Sequence, residues 1–266
     1  MVEIIVIGNE VLLGIVQDTN SSYLCRTVRG LGGGVSHIAI VGDDIDAVAS
    51  EIQSSITRRA KLIFTCGGLG PTDDDLTLQA VAFASNKKLQ VNSDAREMVS
   101  RRYAELAKAG FVDDPVLTET RLKMATLPDG AKPLANPIGA APGMMLEADG
   151  CRIISLPGVP AELQSIVEGP LQPFLAESFN GASYREREIN VTSGDESVLA
   201  PILRTVSENN PDVYVKSRAL RFGPEKSFRI LISTTAPAAS DAERRIERAI
   251  DYLRTALAER GVTIVD

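Results

Sequence analysis

The chain has 266 residues, 44% hydrophobic and 24% charged, with a formal net charge of −7. That length buries a large core and suits more than one compact unit, while the acidic balance and the lack of a Lys/Arg-rich block remove the electrostatic attraction that nucleic-acid binding needs. No run reaches the apolar length of a membrane helix and the N-terminus enters a strand directly, so a cytoplasmic protein with no membrane partner is expected.

Residues 1–7 contain V-E-I-I-V-I and predict a buried strand closed by Gly8. The loop that follows, G-N-E-V-L-L-G, has neither the G-x-G-x-x-G spacing nor a G-K-[ST] ending, so it is no dinucleotide fingerprint or Walker loop; it contributes one acid, Glu10. Asp18, Thr19 and Asn20 precede a helical run whose apolar face is Tyr23, Leu24, Val28 and Leu31. Asp18 or Asn20 serves there either as an N-cap or as a ligand contact. Three glycines then turn the chain into the strand V-S-H-I-A-I-V, which carries His37, the single histidine. A Ser-His-Asp triad would rest wholly on it and a multi-histidine metal site is impossible, so hydrolytic chemistry falls to carboxylates, metal ions, lysine or backbone groups. Gly42, Asp43 and Asp44 open a helix with Ile45, Val48, Ile52 and Ile56 on one face.

Residues 61–77 read K-L-I-F-T-C-G-G-L-G-P-T-D-D-D-L-T and are the most informative stretch. Residues 62–66 predict a buried strand, and Gly67, Gly68 and Gly70 allow the backbone close to a ligand before a helix start turns its N–H groups outward, an arrangement suited to phosphate. Asp73, Asp74 and Asp75 would repel a phosphate unless a cation lay between them, which points to phosphate plus a divalent metal; helix capping alone would need one carboxylate rather than three. The strand–helix alternation to this point calls for a parallel sheet covered on both faces, and Glu10 and the aspartates share one rim if the strands that precede them are parallel neighbours.

A helix is expected over residues 95–109, with Met98, Val99, Tyr103 and Leu106 on one face, and helical character over 115–125. A Pro- and Gly-rich ordered connection leads to the strands M-M-L-E-A and C-R-I-I-S-L. Residues 155–160, S-L-P-G-V-P, form a second strand-to-helix junction in which Gly158 permits close approach, as a turn or as a binding loop. Composition shifts near residues 170–182, dividing the chain into a nucleotide- and pyrophosphate-binding domain at 1–172 and a small subdomain at 173–266. The latter runs in β-α-β-β-α-β order, a ferredoxin-like α/β sandwich. Lys216, Arg218 and Arg221 cluster there as solvated hairpin charges or as an arm reaching phosphate. Cys25, Cys66 and Cys151 lack metal or disulfide spacing and read as core residues.

Taken together, G-N-E-V-L-L-G-x-x-x-D-T-N (residues 8–20), V-G-D-D (41–44), G-G-L-G-P-T-D-D-D-L-T (67–77), L-A-N-P-I-G-A-A-P-G (134–143) and L-P-G-V-P-A-E-L (156–163) resemble, in order, the molybdopterin-binding-domain superfamily. Within it they resemble the CinA-type (competence/damage-inducible) N-terminal domain and the related hydrolase domain of eukaryotic FAD synthases. Asn9 stands where that family often has Thr, and the chain ends without the nicotinamide-nucleotide amidase domain of many bacterial relatives. The resemblance implies a three-layer α/β fold with a mostly parallel sheet plus a small C-terminal α+β subdomain. It implies hydrolysis of the diphosphate in ADP-ribose or FAD-like dinucleotides, with cobalt, magnesium or manganese, and potassium, as cofactors, in a homo-oligomer of two or three subunits. On that reading Asp74, Asp75 and Glu10 are the catalytic metal-holding acids. Gly67, Gly68, Gly70 and Thr72 bind the diphosphate, Asn20 and Asp43 the adenosine end, Lys216 or Arg218 the developing charge, and Asn136 and Gly158 complete the substrate site. The alternative is a molybdopterin- or nucleotide-binding protein without hydrolysis, linked to molybdenum cofactor handling.

Overall fold

The run V-E-I-I-V-I forms β1 (Val2–Ile7), every residue of which is buried, as expected for a strand covered on both faces. The computed structural model describes residues 1–179, 183–193, 196–221 and 227–265, with the backbone alone for residues 220 and 221. By packing, these fall into two units, Met1–Val28 with Gly34–Ser178, and Arg29–Gly33 with Phe179–Asp266.

In the first unit β1 is followed by the single turn α1 (Asn9–Leu12), α2 (Asn20–Gly30), β2 (Val35–Val41), α3 (Ile45–Thr57), β3 (Leu62–Cys66), α4 (Thr77–Ala84), β4 (Leu89–Val91), α5 (Ser93–Lys108) and α6 (Glu119–Lys123). Then come β5 (Thr126–Pro128), β6 (Lys132–Leu134), β7 (Gly143–Ala148), β8 (Cys151–Leu156), α7 (Pro160–Glu168) and α8 (Gln172–Ser178). The main sheet has the order β2-β1-β3-β8-β7-β6; its first four strands are parallel neighbours and β7 and β6 are antiparallel additions. Ile5, Ile7 and Ile63 pack with Val48, Ile52 and Val81 of α3 and α4 in one core cluster. The period of two sends Ile4, Val6 and Phe64 to the opposite face, where they too are fully or almost fully buried. The result is a three-layer α/β fold.

Two sequence expectations need correction. The sheet is not covered everywhere, because β2 is its edge and leaves Ile38 and Ile40 44% and 41% exposed. Helical character expected over 115–125 shrinks to the five residues of α6, started by a Thr118 hydroxyl that accepts from Arg121 N. The short β4 pairs with β5 in a two-stranded ribbon, too brief for a period to register. The sequence-derived division at residue 172 falls on the first residue of α8, a helix that clusters with the first unit.

The second unit contains β9 (Ser183–Thr192), α9 (Glu196–Asn209), β10 (Tyr214–Arg221), β11 (Ser227–Ala236), α10 (Ala239–Glu259) and β12 (Thr263–Val265). Its antiparallel sheet has the order β10-β11-β9-β12, the arrangement of a split β-α-β unit. Ile189, Val191, Phe228, Ile230 and Ile232 pack on Leu199, Val206, Ile246 and Leu253 of the two helices.

One buried charge in the first unit is a stability device. Glu3, 1% exposed in β1, receives Nε and Nη2 of Arg58, which also bonds Glu51. Burial alone would raise the Glu3 pKa, but hydrogen bonds from Arg58 and Ser55 and the Arg58 charge outweigh it and hold the group below its ordinary 4.5. Its contribution is therefore present above that ordinary value and lost as pH falls through the lower folded value. Arg58→Ala, leaving Glu3 unpaired, is expected to cost about 2–3 kcal/mol by urea unfolding at neutral pH, discounted for the exposed guanidinium, with the gap to wild type closing in acid. A gap unchanged across that range would contradict this assignment.

Candidate functional site in the first unit

Because β2 and β3 lie on opposite sides of β1, the loops leaving β1 and β3 part company at the carboxyl edge of the sheet, where open α/β sheets bind ligands. The parallel pairing runs from Val2 opposite Leu62 to Val6 opposite Cys66, so Gly8 and Gly67 emerge side by side. A cleft of about 380 Å³ opens there, lined by residues of the 67–75 loop, by Glu10 and Asp43, by Gly158 and Glu162, and by Tyr103, Met124, Ala140 and Ala141.

The glycines after β3 answer to space as well as to conformation. At Gly67, φ is +112° and a Cβ would lie 2.2 Å from the Ile7 carbonyl oxygen, so only glycine lets β3 turn this close to β1. The loop is closed by Thr77, whose hydroxyl donates to Gly67 O at 2.7 Å and whose N–H donates to Gly68 O at 3.1 Å. Thr77 is therefore spent on its own loop, and no residue of α4 lines the cleft, contrary to the expectation from sequence that the helix start turns to a ligand. Gly67 N donates to Leu156 O and Thr72 N to Asp75 Oδ2. Among the described residues, the N–H groups of Gly68, Leu69 and Gly70 meet no protein acceptor, and all three residues line the cleft.

The aspartates have separate fates. Asp75 turns back to accept Thr72 N at 2.8 Å, and the Thr72 hydroxyl lies 2.5 Å from both Asp75 Oδ2 and Asp74 Oδ1. One hydroxyl proton serves only one of these acceptors at a time. The Thr72 hydrogen bond, with lesser help from the Asp74 N–H and Lys123, holds the Asp74 carboxyl below its ordinary 3.8. Asp74, Asp75 and Glu10 all line the cleft, whereas Asp73 is exposed and does not. Among the described residues no three acidic, histidine or cysteine side chains form a ready metal cluster, so the expected Glu10–Asp74–Asp75 ligand set is not preassembled. Two carboxylates beside free backbone amides are nonetheless hard oxygen donors of the kind that suit magnesium-type ions, which take one or two carboxylates and complete their shell with water and substrate phosphate.

Other expected site residues have structural duties. Asp18 caps α2 through Ser21 N at 3.0 Å, which frees Asn20 to donate Nδ2 to Gly158 O at 2.7 Å. Asn20 ties the α2 entry to the Gly158 loop and does not line the cleft. Asp43 accepts Asn9 N at 2.8 Å and lines the cleft, while Asp44 takes the capping role at α3. Asn136 spends its amide on Ala141 O, Gly139 N and Glu162 Oε2, bracing the loop that brings Ala140 and Ala141 to the wall. Thr72 organises the acids without lining the cleft. Lys216 and Arg218 are exposed on β10 of the second unit, where Arg218 stands opposite Arg229; the Arg221 side chain lies outside the described residues. Sequence reading missed Glu162, Tyr103 and Lys123. Lys123 donates Nζ to the Thr72 carbonyl and is the cation beside the acidic loop; its place at the end of a five-residue helix carries no pattern.

A family model described as "Probable molybdopterin binding domain" matches residues 3–177. A protein of Aeropyrum pernix is 39% identical over 262 residues, 98% of this chain and 95% of that protein. One from Pyrococcus horikoshii is 39% identical over 208 residues, 78% of this chain and 80% of that protein. Among solved structures, the protein CinA of Thermoplasma acidophilum, described as of unknown function, matches with a TM-score of 0.59 at 30% identity, covering 65% of this chain and 96% of that one.

Removing the shared hydroxyl tests the electrostatics of the acidic loop. Thr72→Val is expected to raise the Asp74 pKa toward 3.8, as followed by carboxyl carbon NMR across an acid titration. An unmoved Asp74 would show that the hydroxyl is not what holds it low.

Proposed function

The chain belongs to the molybdopterin-binding-domain family, on its CinA-type branch, and we propose that it is a metal-assisted nucleotide pyrophosphatase acting on ADP-ribose or an FAD-like dinucleotide. The observation that carries this reading is the pairing, in one cleft, of the open N–H groups of Gly68, Leu69 and Gly70 with Asp74 and Asp75. Successive backbone amides accept a diphosphate without adding a titratable cation. A divalent ion held by Asp74 and Asp75 would supply the charge that lets phosphate and carboxylate share the cleft, polarise a phosphoryl oxygen and acidify a water. Glu10, which also lines the cleft, is assigned to orienting the attacking water. Attack on phosphorus breaks the P–O–P bond, so ADP-ribose yields AMP and ribose 5-phosphate, and FAD yields AMP and FMN. Asp43 and Gly158, which line the cleft, frame the remainder of the substrate.

A second reading, binding of a pterin or nucleotide without hydrolysis, draws on one observation: among the described residues, Asp74, Asp75 and Glu10 do not form a ready metal cluster. The two readings part on AMP release from ADP-ribose or FAD with added magnesium, manganese or cobalt. The pyrophosphatase reading expects release, and expects Asp75→Asn, which keeps an acceptor for Thr72 N but removes the charge, to lower it by on the order of a hundredfold or more. Binding of either dinucleotide with no AMP formed under any of these metals would favour the second reading, and full activity in Asp75→Asn would remove Asp75 from the site.

A further inference from the structure

The cleft has a polar end, built from the 67–75 loop and the acids, and an apolar wall built from Tyr103, Met124, Ala140 and Ala141. Tyr103 is its one aromatic lining residue, in a chain with no tryptophan, five tyrosines and seven phenylalanines. The ring is also backed. The Arg121 guanidinium lies over it at 4.0 Å from the centroid, and Arg121 Nη1 is itself pinned by the carbonyl oxygens of Asp114 and Val116 at 2.6 and 2.7 Å. Below, Tyr103 packs against the main core cluster. A ring fixed on one face by a bonded cation and packed against the core has little conformational entropy left to lose on binding, and Tyr103 lines the cleft. The small side chains of Ala140 and Ala141 leave room beside it, and the loop that carries them is held by Asn136 and by Arg102, whose Nη2 donates to Ile138 O at 2.5 Å.

We propose that Tyr103 is the platform on which the planar heteroaromatic ring of the ligand packs, so that it sets the preference for a nucleotide over a bare diphosphate. This inference rests on the reading of the 67–75 loop as the diphosphate site and adds the ring end of the ligand to it. Arg121 on one face draws π density toward itself, which makes the ring a poorer partner for a cationic group and leaves it suited to a neutral base. Arg121 is then a positioning residue, acting through Tyr103.

The test compares AMP with inorganic pyrophosphate by titration calorimetry in the presence of magnesium, using the full chain. Tyr103→Leu, which keeps apolar bulk but no ring, is expected to weaken AMP about tenfold, from the usual worth of base–aromatic stacking, while pyrophosphate affinity stays within about twofold. Tyr103→Phe is expected to hold AMP near the wild-type value. Equal losses for AMP and pyrophosphate in Tyr103→Leu, no loss for either, or a Tyr103→Phe as weak as Tyr103→Leu would each overturn the platform. A wild-type protein that binds pyrophosphate but gains nothing from the adenosine of AMP overturns the platform and leaves the diphosphate site standing. A wild-type protein that binds neither overturns both.

Discussion

The contact between Gly67 and the Ile7 carbonyl governs the rest of the candidate site. Two parallel strands with bulky ends would have to splay at the carboxyl edge; a glycine with φ +112° and no Cβ lets β3 leave the sheet against the last carbonyl of β1. Gly158 packs on this glycine from the β8 side, where an added Cβ would sit in ordinary contact, 3.4 Å from Gly67 Cα. The end of β3 thus meets the ends of both its neighbours, β1 and β8, and residues that follow all three strands line a single cleft. Without that convergence Glu10, Asp74 and Glu162 would belong to separate surfaces.

The chemistry of the cleft follows from a balance of like charges. Asp74 and Asp75 share the Thr72 hydroxyl, Lys123 holds the Thr72 carbonyl from the other side, and Asp74 is kept ionised. An acidic loop beside open amides repels an anion on its own but accepts an anion that arrives with a metal. That is why the reading joins a diphosphate to a divalent ion and does not rely on either alone. The apolar wall around Tyr103 gives the cleft a second, chemically different end, as a ligand with a charged middle and a flat ring requires.

Much of this was legible in the chain because it is carried by local pattern. The apolar runs of β1, β3 and β8, the capping Asp44 and the amphipathic α3 each declare themselves within a dozen residues, and the crossovers between them call for parallel strands, whereas the adjacency of β1 and β3 comes from the folded chain. What stayed hidden depends on which residue wins a shared duty or on contacts distant in sequence. Asp18 and Asn20 are both competent caps, and only the folded chain shows that Asp18 takes the cap while Asn20 reaches Gly158. Tyr103 sits on the apolar face of α5 and reads as core; the cleft ends against that face only because the Asn136 loop and α6 arrive from elsewhere. Asn136 itself looks like a binding residue within its motif but spends its amide on the loop. The edge position of β2 likewise depends on strand order, which no single strand encodes.

The central claim is that the amides of residues 68–70 hold a diphosphate in concert with a divalent ion. Proton–nitrogen correlation spectra of the labelled protein, recorded on addition of ADP-ribose with magnesium, examine those groups directly. The account predicts that the Gly68, Leu69 and Gly70 amide protons move downfield together and that the shifts shrink when magnesium is withheld. Saturating ligand that leaves these three amides in place, while others in the chain move, would contradict it.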